Sequence, residues 1–218
     1  MLGCLEGAFS VFFPVNGEKV HRFRDLGKPV AKFAGMKSAV FFERDGVLNL
    51  VRVERKQALS PLTLHEFQPN PAALEPLTRL KTAGFLLLAT TCQPGLTRGY
   101  QSRRELDLMH ARLRRELPLD DILVCPHDET DRCPCRKPKP GLLVEAAFRW
   151  HLDLERCYVV SERWQDADAA RNAGCVSVMI ESQWNGLVHR DFLVPNLAQA
   201  ANKILQARGV ACAVSGPC

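Results

Sequence analysis

From Ser38 onward the chain alternates short apolar runs with segments of helical period, and few architectures accept that order. Strands that are apolar throughout are buried on both faces, and the helices between them supply the cover. The alternation therefore predicts an α/β fold, a three-layer, Rossmann-like parallel sheet with helices on both faces. Predicted strands fall at 38–43, 85–90, 121–124, 157–160 and 176–180. The spacing predicts a helix over 71–83, with Asn70 as its cap, Pro71 in its first turn and Gly84 beyond its end. A second helix carries the apolar stripe Leu106, Met109, Leu113 and Leu117, and others are predicted at 140–151, 165–173 and 197–207. In open sheets of this kind ligands bind beyond the carboxyl ends of the strands.

With 218 residues, 46% of them hydrophobic and 24% charged, the chain suits one domain with one core. That domain is expected at 36–208, after an N-terminal extension 1–35 without sustained period and before a tail at 209–218. Met36 stands just before the first strand, so one expectation is that the functional protein starts there, which mass spectrometry of the native N-terminus decides. The net charge is +5, and its densest source, Arg103 to Arg115, is interleaved with acidic residues as a solvated helix face would be. No nucleic-acid motif of defined spacing is present, so a nucleic-acid partner is not expected. No apolar run approaches the roughly 20 residues of a membrane span, and no membrane association is expected either. The nine cysteines, odd in number and unevenly spread, suit a metal site plus free thiols in a reducing compartment, hence the cytoplasm.

Chemistry concentrates at predicted strand ends. Glu43 and Asp45 stand two residues apart after an apolar run, a spacing that puts both carboxylates on one face, and Gly46 lets the chain turn. The plain alternative is a strand ending in a charged turn. The run Thr90-Thr91-Cys92-Gln93 closes the next strand with hydroxyl and backbone donors suited to phosphate oxygens. Cys125, His127, Cys133 and Cys135 offer three thiolates and an imidazole on one short loop, the donor set of a tetrahedral, structural zinc. Arg136 and Lys137 follow the last of these ligands, so chelation would fix where two cations point. Glu162 and Asp166 follow the fourth strand, where they suit a hard cation such as magnesium or, equally, the cap and first turn of the next helix.

Taken in this order, these segments resemble the haloacid-dehalogenase superfamily of phosphatases, and within it the zinc-containing heptose-bisphosphate and histidinol-phosphate phosphatases. The likeness spans roughly residues 36–205 and rests on Arg44-Asp45-Gly46-Val47-Leu48-Asn49, the Cys125-to-Cys135 loop, and Arg136-Lys137-Pro138 running into Pro140-Gly141. The resemblance implies that position 43 is the nucleophile, Asp45 the general acid and then base, Thr91 a phosphate-binding hydroxyl and Lys137 the group that steadies the phosphoryl oxygens. Arg136, with Cys92 and Gln93, would contact substrate. Magnesium would lie between the carboxylate of Glu43, the backbone carbonyl of Asp45 and the carboxylate of Glu162. It further implies a small phosphorylated metabolite as partner and a monomeric state.

The chain departs from that pattern where the chemistry happens. The family has Asp at positions 43 and 162, Asn at 92, Gly at 161 and usually Lys at 163; this chain has Glu43, Glu162, Cys92, Ser161 and Arg163. Two expectations follow: a slower magnesium-dependent phosphomonoesterase, or a catalytically silent domain that binds a phospholigand or a protein.

Overall fold

The computed structural model describes residues 36–209; the expected extension 1–35 and most of the expected tail lie outside the described residues. Among the described residues, eight strands run in the order β1 (Ala39–Glu43), β2 (Arg52–Glu54), β3 (Gln57–Leu59), β4 (Leu86–Cys92), β5 (Asp121–Cys125), β6 (Tyr158–Ser161), β7 (Val176–Ile180) and β8 (Phe192–Val194). Six of them form one sheet in the order β5-β4-β1-β6-β7-β8, every pair parallel, while β2 and β3 make a separate antiparallel hairpin. The α-helices of the described residues, α1 (Leu74–Thr82), α2 (Arg103–Glu116), α3 (Gly141–Trp150), α4 (Trp164–Ala173) and α5 (Leu197–Ala207), cover it.

The period of two along β1 divides the core between the two faces. Val40 and Phe42 pack with Leu77 and Leu80 of α1, Leu106, Met109 and Leu113 of α2, and Ala201 and Ile204 of α5. Ala39 and Phe41 pack on the other side with Leu142, Leu143 and Ala146 of α3 and Ala169 and Ala170 of α4. Helix starts follow local chemistry: Ser102 Oγ accepts from the Glu105 N–H at 3.1 Å to cap α2, and Asn196 Oδ1 accepts from the Gln199 N–H at 3.0 Å to cap α5.

All five predicted strands are present. The predicted helix 71–83 divides into a 3₁₀ turn, Pro71–Ala73, capped by Asn70 Oδ1 on the Ala72 N–H at 3.0 Å, and then α1. The strands β2, β3 and β8 escape sequence reading because each has three residues, too few to display a period. From β1 the chain builds the sheet outward through β4 and β5 on one side, then crosses back from β5 to β6 on the other side of β1, which places a crevice above the carboxyl end of β1.

Candidate active site

That crevice is a pocket of ≈ 230 Å³ lined by Glu43, Asp45, Ser60, Cys92, Pro94, Arg136, Lys137, Arg163, Gln165 and Asp166. At its centre Lys137 Nζ contacts a carboxylate oxygen of Glu43 and lies 2.6 Å from Asp166 Oδ1 and 3.3 Å from the Thr90 carbonyl. All three charged side chains are nearly closed to solvent, at 7%, 7% and 2% exposure. Burial pushes the Glu43 carboxyl up to about 8 even though Lys137 opposes it, because Asp166 and Asp45 add negative charge nearby. Burial would lower the Lys137 ammonium, but Asp166 and Glu43 outweigh it and hold the amine charged. One cation thus serves two buried carboxylates.

Asp45 leaves β1 on the same side but stands in a different environment. Arg44 Nε donates to its Oδ1 at 2.9 Å and Nη2 to its Oδ2 at 3.0 Å, while Gln93 Nε2 donates to Oδ2 at 2.8 Å. Burial alone would raise the Asp45 carboxyl; Arg44 first, then Ser60 and Gln93, bring it below the ordinary carboxylate range. Arg44 itself is fully enclosed, its Nη1 donating to His110 Nε2 at 3.1 Å and its guanidinium carbon 5.8 Å from the centre of the Phe67 ring. Sequence reasoning missed Arg44, since alternation along a strand points residue 44 away from 43 and 45; the strand ends at Glu43, and the turn brings the guanidinium back onto its neighbour.

Burial, and then Arg44, push the His110 imidazole down to about 3. Between its ordinary value near 6.5 and about 3, the unfolded chain binds a proton that the fold refuses, so stability falls as pH falls through that window. The variant His110→Gln keeps an acceptor for Arg44 but cannot titrate. It is expected to remove roughly 2 kcal/mol of the stability lost between about pH 6.5 and 4.5. Urea midpoints at the two pH values measure this, and an unchanged difference counts against it.

Gly46 follows with φ +96°, and a Cβ there would stand 2.1 Å from Glu162 Oε1, so the absence of a side chain is what lets Glu162 lie against this turn. That Oε1 is buried without a hydrogen-bond partner, and burial raises the Glu162 carboxyl. Asp166, read from sequence as a cation ligand or helix cap, is otherwise committed: Oδ1 faces Lys137 and Oδ2 accepts from Ser161 Oγ at 2.9 Å. Thr91 is fully buried, and its Oγ1 accepts from Gln93 Nε2 at 2.9 Å. Thr91, Gln93 and Glu162 all lie outside the pocket lining, whereas Glu43, Asp45, Cys92, Arg136 and Lys137 are brought together in it. The Cys92 thiol is pushed up by its contact with Cys125 and by burial, so it presents a neutral wall.

Beside the pocket, one ligand atom each from Cys125, His127, Cys133 and Cys135 lie within 4.8 Å of one another, the one such cluster of three or more His, Cys, Asp or Glu among the described residues. The separations are 3.7 Å for Cys125–Cys133, 3.5 Å for Cys133–Cys135, 3.8 Å for Cys125–His127 and 3.3 Å for His127–Cys135. A tetrahedron with metal–sulfur bonds of about 2.3 Å has sulfur–sulfur edges of about 3.8 Å, so the cage has the size of a zinc site. Gly141 lets α3 begin against this loop, because a Cβ there would meet the Pro134 carbonyl oxygen at 2.4 Å. Arg136, immediately after the cluster, donates through Nη1 to the His127 carbonyl at 3.2 Å.

Paired carboxylates leaving the central strand of a parallel sheet, faced by a buried lysine at the switch point, are the arrangement of a haloacid-dehalogenase-like hydrolase. A family model described as HAD-hydrolase-like matches residues 134–199. The chain is 36% identical over 152 residues to a D-glycero-beta-D-manno-heptose-1,7-bisphosphate 7-phosphatase of Pseudomonas aeruginosa, covering 67% of this chain and 82% of that one. It is 31% identical over 194 residues to a D-glycero-alpha-D-manno-heptose-1,7-bisphosphate 7-phosphatase of Mycobacterium bovis, covering 83% and 98%. The crystal structure of the D,D-heptose 1,7-bisphosphate phosphatase of Bordetella bronchiseptica, complexed with magnesium and phosphate, superposes with a TM-score of 0.68 at 29% identity over 79% of this chain and 99% of that one. The chain belongs to this heptose-bisphosphate phosphatase family of haloacid-dehalogenase-like hydrolases.

Proposed function

We propose that the chain, in a domain spanning 36–208, hydrolyses a phosphomonoester of a heptose bisphosphate through an acyl phosphate on Glu43. The observation that carries this reading is the buried contact of Lys137 with both Glu43 and Asp166 in the same pocket as Asp45. Glu43 attacks phosphorus while Lys137 and Arg136 face the phosphoryl oxygens, where added positive charge favours the transition state. Asp45 gives a proton to the departing alcohol. The approach of a phosphoryl dianion raises its affinity for that proton, since like charges in one site cannot all stay ionised. In the second half Asp45, returned to the carboxylate that Arg44 favours, takes a proton from water as it attacks the acyl phosphate.

Magnesium fits the residues present. The unpartnered Glu162 Oε1 and the surplus of carboxylates around Lys137 are what a hard divalent cation would satisfy. Glu43, Glu162 and the Asp45 carbonyl would hold it, and when bound it supplies positive charge that favours the ionised nucleophile and shields the phosphoryl oxygens. The Cys125, His127, Cys133 and Cys135 cage would hold zinc with no open position, in a structural role that fixes Arg136 and Lys137. The molecule is further proposed to be a cytoplasmic monomer. Among the described residues no helix is long and apolar enough to cross a membrane. The relatives give the silent binding module no support.

Phosphate release from heptose 1,7-bisphosphate with magnesium is the expected activity, and its absence from wild type and from Glu43→Asp alike would overturn the proposal. The metal assignment has its own test in Cys133→Ser. Elemental analysis is expected to find about one zinc per wild-type chain and nearly none in the variant after dialysis against a chelator, with turnover reduced at least about tenfold as Arg136 and Lys137 lose their anchor. Equal zinc contents would refute it.

A further inference from the structure

A second cavity, of ≈ 280 Å³, opens beside the catalytic pocket and is lined by Arg163, Trp164, Gln165, Gln183, Trp184 and Gly186. Arg163 and Gln165 line both, so the two spaces adjoin. The catalytic pocket alone, at ≈ 230 Å³, falls below the roughly 300–1,000 Å³ of small-molecule sites, and only the pair reaches that range.

The chemistry of this second space differs from that of the phosphate cradle. Its walls hold no carboxylate and no lysine, but two indoles, two carboxamides and one guanidinium. The Arg163 guanidinium carbon lies 5.9 Å from the centre of the Trp184 ring, and its Nε and Nη2 are buried without hydrogen-bond partners. Leaving such donors unsatisfied is costly, and an oxygen-rich ligand would remove the cost. Trp184 is fixed from three directions: its Nε1 donates to the Lys56 carbonyl at 3.3 Å, its backbone N–H to Ser182 Oγ at 3.1 Å, and its carbonyl accepts from the Trp164 N–H at 3.2 Å. The first of these ties the turn of the β2–β3 hairpin to the cavity, while Ser60, just past β3, lines the catalytic pocket.

We infer that this second cavity is the subsite for the alcohol portion of the substrate, that it takes a polyhydroxylated ring, and that Trp184 is its wall. A sugar ring presents a C–H face that packs on an indole, and hydroxyls that accept from Arg163 and pair with the carboxamides of Gln165 and Gln183. A flat aromatic or purely aliphatic alcohol would leave those polar groups unpaired. The inference rests on the phosphatase reading for the direction in which the substrate lies, but its test does not require turnover.

The test is calorimetric titration with the reaction product, heptose 1-phosphate, and separately with inorganic phosphate, each in the presence of magnesium. Trp184→Ala is expected to weaken product binding at least tenfold, Trp184→Phe by no more than about threefold because a ring remains, and Gln183→Ala by about three- to tenfold. Affinity for inorganic phosphate is expected to stay within about twofold throughout. Gln183 is exposed, so Gln183→Ala decides the question if Trp184→Ala fails to fold. Product binding unchanged in Gln183→Ala and in Trp184→Ala, no product binding by wild type, or equal losses in Trp184→Phe and Trp184→Ala would overturn the inference. Product binding that depends on Trp184 without phosphate release from the bisphosphate defeats only the proposed function; release with product binding indifferent to both positions defeats only the subsite.

Discussion

Lys137→Met is expected to lower phosphate release by about 10²–10³-fold and to destabilise the fold by about 3–5 kcal/mol. The catalytic loss follows from the proposed reaction, in which this cation faces the phosphoryl group. The stability loss follows from burial: Glu43 and Asp166, 7% and 2% exposed, would keep their carboxylates while losing the ammonium between them. Breaking a buried pair on one side leaves charge that water cannot reach, which costs more than the pair contributes when intact. The loss also has a pH signature. Glu43 titrates at about 8 in the fold against 4.5 ordinarily, so the folded state binds the extra proton between those values, and the corresponding stability fades as pH rises through that window. Removing Lys137 withdraws the positive charge that lowers Glu43, which carries the decline to higher pH. Urea unfolding at about pH 5.5 and 8.5 is expected to show the larger deficit at the higher pH. An equal deficit at both would mean that the three charges are not coupled as described.

How much of this site was legible in sequence depends on how local each contact is. The cluster of Cys125, His127, Cys133 and Cys135 is formed by residues within one short loop, and its spacing alone marked it as a candidate metal cage. Glu43 and Asp45 were legible from their two-residue spacing at the end of an apolar run, and both line the pocket even though the strand itself stops at Glu43. Lys137 was legible as a neighbour of Cys135, but its partner Asp166 was not: that contact joins the cysteine-rich loop to the first turn of α4, and a carboxylate in a helix's first turn reads equally as a cap. Arg44 was hidden by the rule that exposed Glu43, since its contact with Asp45 depends on the strand stopping at Glu43, just before it. Trp184 carried no signal at all. Its hydrogen bond to Lys56 spans 128 positions and meets a hairpin of three-residue strands whose pattern is too short to read.

Glu43→Gln is expected to lower turnover on the order of 10⁴-fold or more, since a carboxamide cannot form the acyl phosphate. Shortening the side chain asks a finer question, because by the resemblance to its family the chain is longer by one methylene at two positions at once. A carboxylate displaced by about 1 Å can cost on the order of a hundredfold in rate. Here, however, Glu43 reaches Lys137, and Glu162 lies against Gly46 with an oxygen left open. If both lengthened side chains hold one cation, each is fitted to the other. Glu43→Asp alone and Glu162→Asp alone should then each lower kcat/KM by about tenfold, and the double variant should recover to wild type or better. The coupling would exceed roughly 2.7 kcal/mol, far beyond the few tenths expected of independent sites. Steady-state kinetics at saturating magnesium measures all four corners of this cycle. A double variant equal to the product of the two single changes would show that Glu43 and Glu162 do not share an ion, and would remove Glu162 from the proposed metal site without bearing on the proposed nucleophilic role of Glu43.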